Sequence, residues 1–180
     1  MRIIAGAWRG RPLAAPEGHG TRPTSDRARE GLFSMLQSRL GSFEGLRAAD
    51  LFAGTGALGL EALSRGAEHC TFVENDRGAN AILKRNVERL GAADRATIRA
   101  QGIEHAPPPA QPCDLVLMDP PYAAGLAEAA LLKVADPAWL APGALVSVEA
   151  DRPLPPPAGL VLEAERRFGK AHITLLRRDG

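Results

Sequence analysis

Several things are scarce in this chain, and each scarcity excludes a class of protein. There are two cysteines, Cys70 and Cys113. They are isolated from each other, with no C-x-x-C pair and no Cys/His cluster at metal-ligand spacing, so neither a disulfide framework nor a metal site is expected. Both fall in apolar stretches and read as core thiols of a cytoplasmic protein. The four histidines, His19, His69, His105 and His172, form no cluster and are assigned no catalytic role. No apolar run approaches the ~18 residues of a membrane span. The N-terminus lacks the apolar h-region of a signal peptide, and none is expected. Lysine is rare, 3 residues against 19 arginines. With abundant Ala, Gly and Pro, that imbalance reads as compositional bias rather than phosphate binding. A net charge of only +1 excludes a polycation.

What is present suits one domain with a sizeable core: 180 residues, 45% of them hydrophobic. Charge is uneven along the chain. Residues 1–40 carry seven arginines and three acids, a net of +4, and the remainder sums to −3. A basic front end on a near-neutral body implies a polyanionic partner met by that end, or else a solvated basic face.

The pattern after residue 45 alternates. Strands are predicted near 46–52, 69–74, 96–99, 113–118 and 144–149, with helices over 57–65, 77–90 and 126–134. Such alternation builds a parallel sheet with helices on both faces. After the stiff Pro153–Pro157 link, strands over 160–168 and 172–177 share so short a turn, Gly169-Lys170, that they must be antiparallel. About seven strands result. Before residue 45, short strands at 2–6 and around Leu13 form a hairpin or irregular arm. A helix then opens with Thr24 or Ser25 as N-cap. Its apolar face is Ala28, Leu32, Phe33, Leu36 and Leu40, with Arg27, Arg29 and Glu30 on other faces. Residues 1–45 thus read as an N-terminal extension of the same unit, and 46–180 as the main domain, without repeats.

The chain is organised around Asp50-Leu51-Phe52-Ala53-Gly54-Thr55-Gly56-Ala57-Leu58-Gly59, a strand, glycine turn and helix start. Glycines let the backbone turn sharply and lie against a flat ligand. The free N–H groups of the helix start favour a negative group. Glu74 closes the next strand, 20 positions after Gly54, where an acid binds ribose hydroxyls. An adenosine-containing cofactor follows, and on this stretch NAD and S-adenosylmethionine are equally suited.

Asp119-Pro120-Pro121-Tyr122 follows the apolar run 114–118 and sits at a strand's C-terminal end, the edge where open α/β sheets bind ligands. Two prolines remove two N–H donors and stiffen the loop, which therefore mainly offers acceptors. The Asp119 carboxylate and Pro120 carbonyl can face a planar exocyclic amino group, and Tyr122 gives a base a surface to stack on.

Asp-Pro-Pro-Tyr after the fourth strand resembles the signature of S-adenosylmethionine-dependent amino-group methyltransferases. The N-terminal pattern Arg2-Ile3-Ile4-Ala5-Gly6-x-Trp8-Arg9-Gly10-Arg11-x-Leu13, then Thr21-Arg22-Pro23-Thr24-x-Asp26-Arg27-x-Arg29-Glu30, is similar to the bacterial 16S rRNA guanine-N2 methyltransferase family, the RsmD family. The segment Leu51 to Arg65 matches it too, and 100–112 matches least.

The resemblance implies a Rossmann-like class I methyltransferase fold, S-adenosylmethionine as cofactor, and methyl transfer to guanine N2 of 16S rRNA, at guanine 966. Asp119, Pro120, Pro121 and Tyr122 are then catalytic. Asp50, Phe52, Ala53, Gly54, Thr55, Gly56, Glu74 and Asn75 bind cofactor. Gln101 and Gly102 stand where relatives often place Asp or Asn against the adenine amine, and Gln can still accept a hydrogen bond. Thr24 resembles the segment that closes over the cofactor's carboxylate, or simply caps its helix. Arg9, Arg11, Arg22, Arg27, Arg29 and Lys170 are candidate RNA contacts, since phosphate contacts need Arg or Lys. The implied partner is 16S rRNA in the small subunit or an assembly intermediate, met by a monomer, with no membrane and no metal. A DNA adenine-N6 or other nucleic-acid amino-methyltransferase, an NAD-binding oxidoreductase and a non-catalytic RNA-binding protein are the alternatives.

Overall fold

The computed structural model describes residues 1–18 and 23–180, with side chains in the first helix described from residue 26 onward. The expectations for Arg22 and for the Thr24 side chain lie outside the described residues.

One seven-stranded sheet runs in the order β3-β2-β1-β4-β5-β7-β6. Its strands are β1 (Arg47–Leu51), β2 (His69–Val73), β3 (Ala96–Arg99), β4 (Cys113–Met118), β5 (Leu140–Ala150), β6 (Leu160–Phe168) and β7 (Ala171–Arg178). The first five are parallel, and β7 pairs antiparallel with both β5 and β6. The helices are α1 (Pro23–Leu40), α2 (Ala57–Ser64), α3 (Arg77–Arg89) and α4 (Leu126–Val134), with a short 3-10 turn at Ala93–Arg95. The alternating sequence pattern therefore builds the expected mostly parallel sheet and closing hairpin. Among the described residues no helix is long and apolar enough to cross a membrane.

Strand residues alternate between two cores, as the pleat requires. Ala48, Cys70, Phe72, Leu115, Leu117 and Leu175 pack under Leu32, Phe33 and Leu36 of α1, Leu60 and Leu63 of α2, and Leu83 and Val87 of α3. Ala49, Leu51, Val116, Met118, Val146 and Val148 face α4, through Ala127, Ala130, Leu131 and Val134, and the buried Trp139. The helices are thus on both faces but unevenly, three against one. Both cysteines are fully buried, and burial raises both thiols, Cys113 to about 12.

Three expectations need correction. The strands at 2–6 and around Leu13 reduce to one isolated bridge, Arg2 with Pro12. Around that bridge Ile3 N–H donates to Arg11 O (3.0 Å), Leu13 N–H to Met1 O (2.9 Å) and Gly10 N–H to Ile3 O (2.9 Å), a short hairpin, while the amides of residues 4–8 turn to α2. Ile4 and Ala5 N–H donate to Glu61 Oε2 and Oε1, Ala7 N–H to Ser64 O, and Trp8 N–H to Ser64 Oγ. The first helix begins at Pro23, so Thr24 and Ser25 lie inside it. Proline suits a first helical position, whose N–H has no intrahelical partner anyway. Strand β5 starts at Leu140 rather than 144, because Leu140 already pairs with Cys113 ahead of a register shift, and Gly143 in the left-handed region (φ 76°) lies within the shifted stretch before pairing resumes at Leu145.

Candidate active site

Register brings the site together. Leu51 aligns with Val73 on one side and Met118 on the other, and Met118 aligns with Val148. The residues that follow, Phe52, Glu74, Asp119 and Glu149, therefore share one edge of the sheet. A cavity of about 280 Å³ opens there. Its lining includes Asp50, Phe52, Ala53, Gly54 and Thr55 from the glycine turn, Asp119 from β4, Glu149 from β5 and Arg29 from α1.

The turn is held by carboxylates from beneath. Asp50, fully buried, accepts a hydrogen bond from Gly59 N–H (2.8 Å) and so ties strand to helix start. Burial pushes its carboxyl well above the usual range, partly offset by that bond. Glu74 accepts from Gly54 N–H (2.7 Å) and from Asp76 N–H (2.9 Å). Each carboxylate oxygen keeps a second lone pair for a ligand hydroxyl. Gly54 takes φ +56°, and a Cβ there would meet nothing within 4 Å. The backbone is bare on its cavity side, a cradle that a side chain would fill. Gly56 and Gly59 are needed for packing instead, since a Cβ would meet Leu83 Cδ1 at 2.4 Å and Phe72 Cε1 at 2.4 Å respectively.

Asp119 is open to solvent through the cavity, yet the protein around its carboxylate pushes it up to about 6. Glu149 beside it is raised to about 7, by burial first and then by the charge of Asp119. Pro120 is buried and anchors the loop, while Tyr122 stands 59% exposed at the rim, beside Glu149. A second cleft is lined by Pro120, Pro121, Tyr122, Glu149, Asp151 and Arg152 among others, so Glu149 stands between the two spaces.

Some expected residues stand apart. Asn75 is exposed, and Gln101 and Gly102 are half-buried after β3; none of the three lines the cavity. Among the basic residues, Arg29 requires correction as an RNA contact on an outer face. It is 6% exposed and its Nη2 donates to Arg2 O (2.6 Å). Arg9 and Arg11 are exposed at the arm's tip, and Arg11 Nη2 donates to Arg89 O (2.6 Å). That tip lies against Ser64 and Arg89, the last residues of α2 and α3, at the sheet edge opposite Asp119. Arg27 and Lys170 are exposed toward the site end, Lys170 in the β6–β7 turn. Trp8 has Arg95 over its ring at 5.5 Å and packs against the core.

Sequence reasoning passed over Glu149 and misassigned Arg29. The signals existed: Glu149 closes a predicted strand on the glycine-turn edge, and Arg29 lies three and four residues before Leu32 and Phe33, on the helix's apolar side. Among the described residues there is no group of His, Cys, Asp and Glu that could hold a metal ion.

Residues 1–177 match the family described as Conserved hypothetical protein 95. Ribosomal RNA small subunit methyltransferase D of Escherichia coli (strain K12) is 38% identical over 99% of this chain and 90% of its own length. The protein of that name from Haemophilus influenzae is 40% identical over 94% of this chain and 89% of its own. The structure of yhhF from Escherichia coli superposes with a TM-score of 0.87 at 38% identity, covering 99% of this chain and 98% of that one.

Proposed function

Because the chain belongs to the RsmD family, we propose that it transfers a methyl group from S-adenosylmethionine to the exocyclic N2 of a guanine in 16S rRNA. The coarser reading, methylation of ribosomal RNA, is carried by the relatives' names, and S-adenosylmethionine as the donor by the glycine turn and the Asp119 loop. The finer one, guanine N2 at position 966 of small-subunit RNA, rests on the resemblance in the arm and loop. The observation that carries the chemistry is a single cavity that joins the bare Gly54 turn to Asp119.

The residues fit the cofactor: the cavity offers a glycine cradle for a flat adenosine and the acids Asp50 and Glu149 for cationic centres, and Glu74, bonded to Gly54 N–H beside that lining, would take its ribose hydroxyls. When bound, the cofactor would supply an electrophilic methyl group. The protein's own part is positioning and electrostatics. Guanine N2 is a poor nucleophile because its lone pair is delocalised into the ring. Asp119 and the Pro120 carbonyl accept hydrogen bonds from the amine and orient it. Their negative charge stabilises the positive charge that grows on nitrogen as the new N–C bond forms. The departing amine proton has two neighbouring carboxylates to receive it, and Glu149, raised to about 7, is matched to neutral pH. Tyr122 at the rim stacks on a base that has left its helix.

The test offers labelled S-adenosylmethionine and the protein to small subunits from cells lacking the enzyme, to naked 16S rRNA and to duplex DNA. N2-methylguanosine recovered from 16S rRNA is expected. Label in DNA alone would overturn the rRNA reading. Asp119→Ala should lower transfer by at least about 100-fold, the scale of a lost electrostatic stabiliser, while cofactor affinity stays within about twofold. An equal loss of cofactor binding would show that Asp119 belongs to the cofactor site instead.

A further inference from the structure

The charged side chains that line the cavity are acidic with one exception. Asp50, Asp119 and Glu149 are its acids, and Arg29 is the one basic side chain among the described residues that line it. Arg29 is only 6% exposed. Its Nη2 is used on Arg2 O, and Asp26 Oδ1 lies 3.6 Å away, beyond hydrogen-bonding distance. Its Nε is buried and has no hydrogen-bond partner. A buried guanidinium donor left unpaired is unfavourable, and an anionic acceptor in the cavity would satisfy it. The amino-acid end of S-adenosylmethionine carries one anionic group among cationic ones. The sulfonium and ammonium suit an acidic wall, which would repel the carboxylate unless a cation faced it.

We propose that Arg29 binds the α-carboxylate of S-adenosylmethionine, an inference that rests on the cofactor reading above. The guanidinium's planar fork is suited to a carboxylate, and its position on α1 places it across the cavity from Asp119 and Glu149 on the strand ends. The resemblance left Thr24, five residues earlier on the same helix, either this role or that of a helix cap.

The test is calorimetric binding of S-adenosylhomocysteine and of 5′-methylthioadenosine, which shares the adenosine and thioether but has no carboxylate. In Arg29→Gln, S-adenosylhomocysteine should bind about 10- to 100-fold more weakly, the worth of a charge-assisted hydrogen bond. 5′-Methylthioadenosine should be unchanged within about twofold. Arg29→Lys, which keeps the charge but loses the fork, should fall between and serves if Arg29→Gln does not fold. Equal weakening of both ligands would show that Arg29 only holds the arm to α1, and no weakening of either would likewise overturn the proposal. A wild-type protein that bound neither ligand would overturn the cofactor reading itself, and this inference with it.

Discussion

At the scale of single residues, the site is shaped by carboxylates whose placement works against stability. Glu149 carries a proton in the folded protein up to about pH 7, whereas an unfolded glutamate releases it near 4.5. Between those values the folded form binds more protons, so stability falls as pH rises through the window and the full penalty remains above it. Glu149→Gln should therefore raise stability above pH 7, by about 1–2 kcal/mol after allowance for solvent at a half-buried group. Below pH 4.5 it should change little. Thermal melts at pH 4 and pH 8 check both signs. Methyl transfer should move the other way. The rate should rise with pH between about 6 and 7 as Asp119 and Glu149 ionise, and the same substitution should flatten or lower that inflection. A stabilised but less active variant fits a residue retained for chemistry.

At the scale of elements, the N-terminal arm and α2 form one device. Glu61 is completely buried and accepts from Ile4 N–H (2.8 Å) and Ala5 N–H (3.0 Å). Its Oε1 also pairs with Arg65 Nε at 3.0 Å, and the Arg65 guanidinium lies over Phe33 of α1 at 4.9 Å. A single carboxylate thus ties arm, α2 and, through Arg65, α1. Glu61→Ala would leave two amides and a cation without their partner, at a cost of about 3–5 kcal/mol. Faster hydrogen exchange at Ile4 and Ala5, ahead of the sheet, should accompany the loss. Asn86 repeats the pattern on α3, accepting from Ala14 N–H and donating to Thr55 O. The arm's return limb is thereby tied to the glycine turn.

At the scale of the molecule, the basic residues divide between two ends. Arg27 and Lys170 lie toward the cavity end, and Arg9 and Arg11 at the far tip of the arm. If RNA is gripped around the site, Arg27→Ala with Lys170→Ala should weaken 16S rRNA binding more than Arg9→Ala does. The salt slope should fall by about one for each phosphate contact removed. Filter binding between 50 and 200 mM salt measures both.

The sequence by itself determined what depends on neighbours along the chain. β3, β4, β6 and α4 were legible to the residue, because apolar runs and helical spacing are local properties. So were the glycine turn and the Asp119 loop, because each carries its chemistry within a few consecutive residues. Tertiary structure decided what depends on partners far away in sequence. The arm's residues read as strands, but beyond the short pairing of 1–3 with 11–13 its amides need other acceptors, and those of Ile4 and Ala5 are on α2, for Ala5 some 56 positions on. Arg29 reads as a solvated charge until the arm's Arg2 carbonyl closes over it. Glu149 reads as a strand end until parallel register sets it beside Asp119. In each case the deciding contact joins segments that only folding brings together, and burial there changes what a polar group can do.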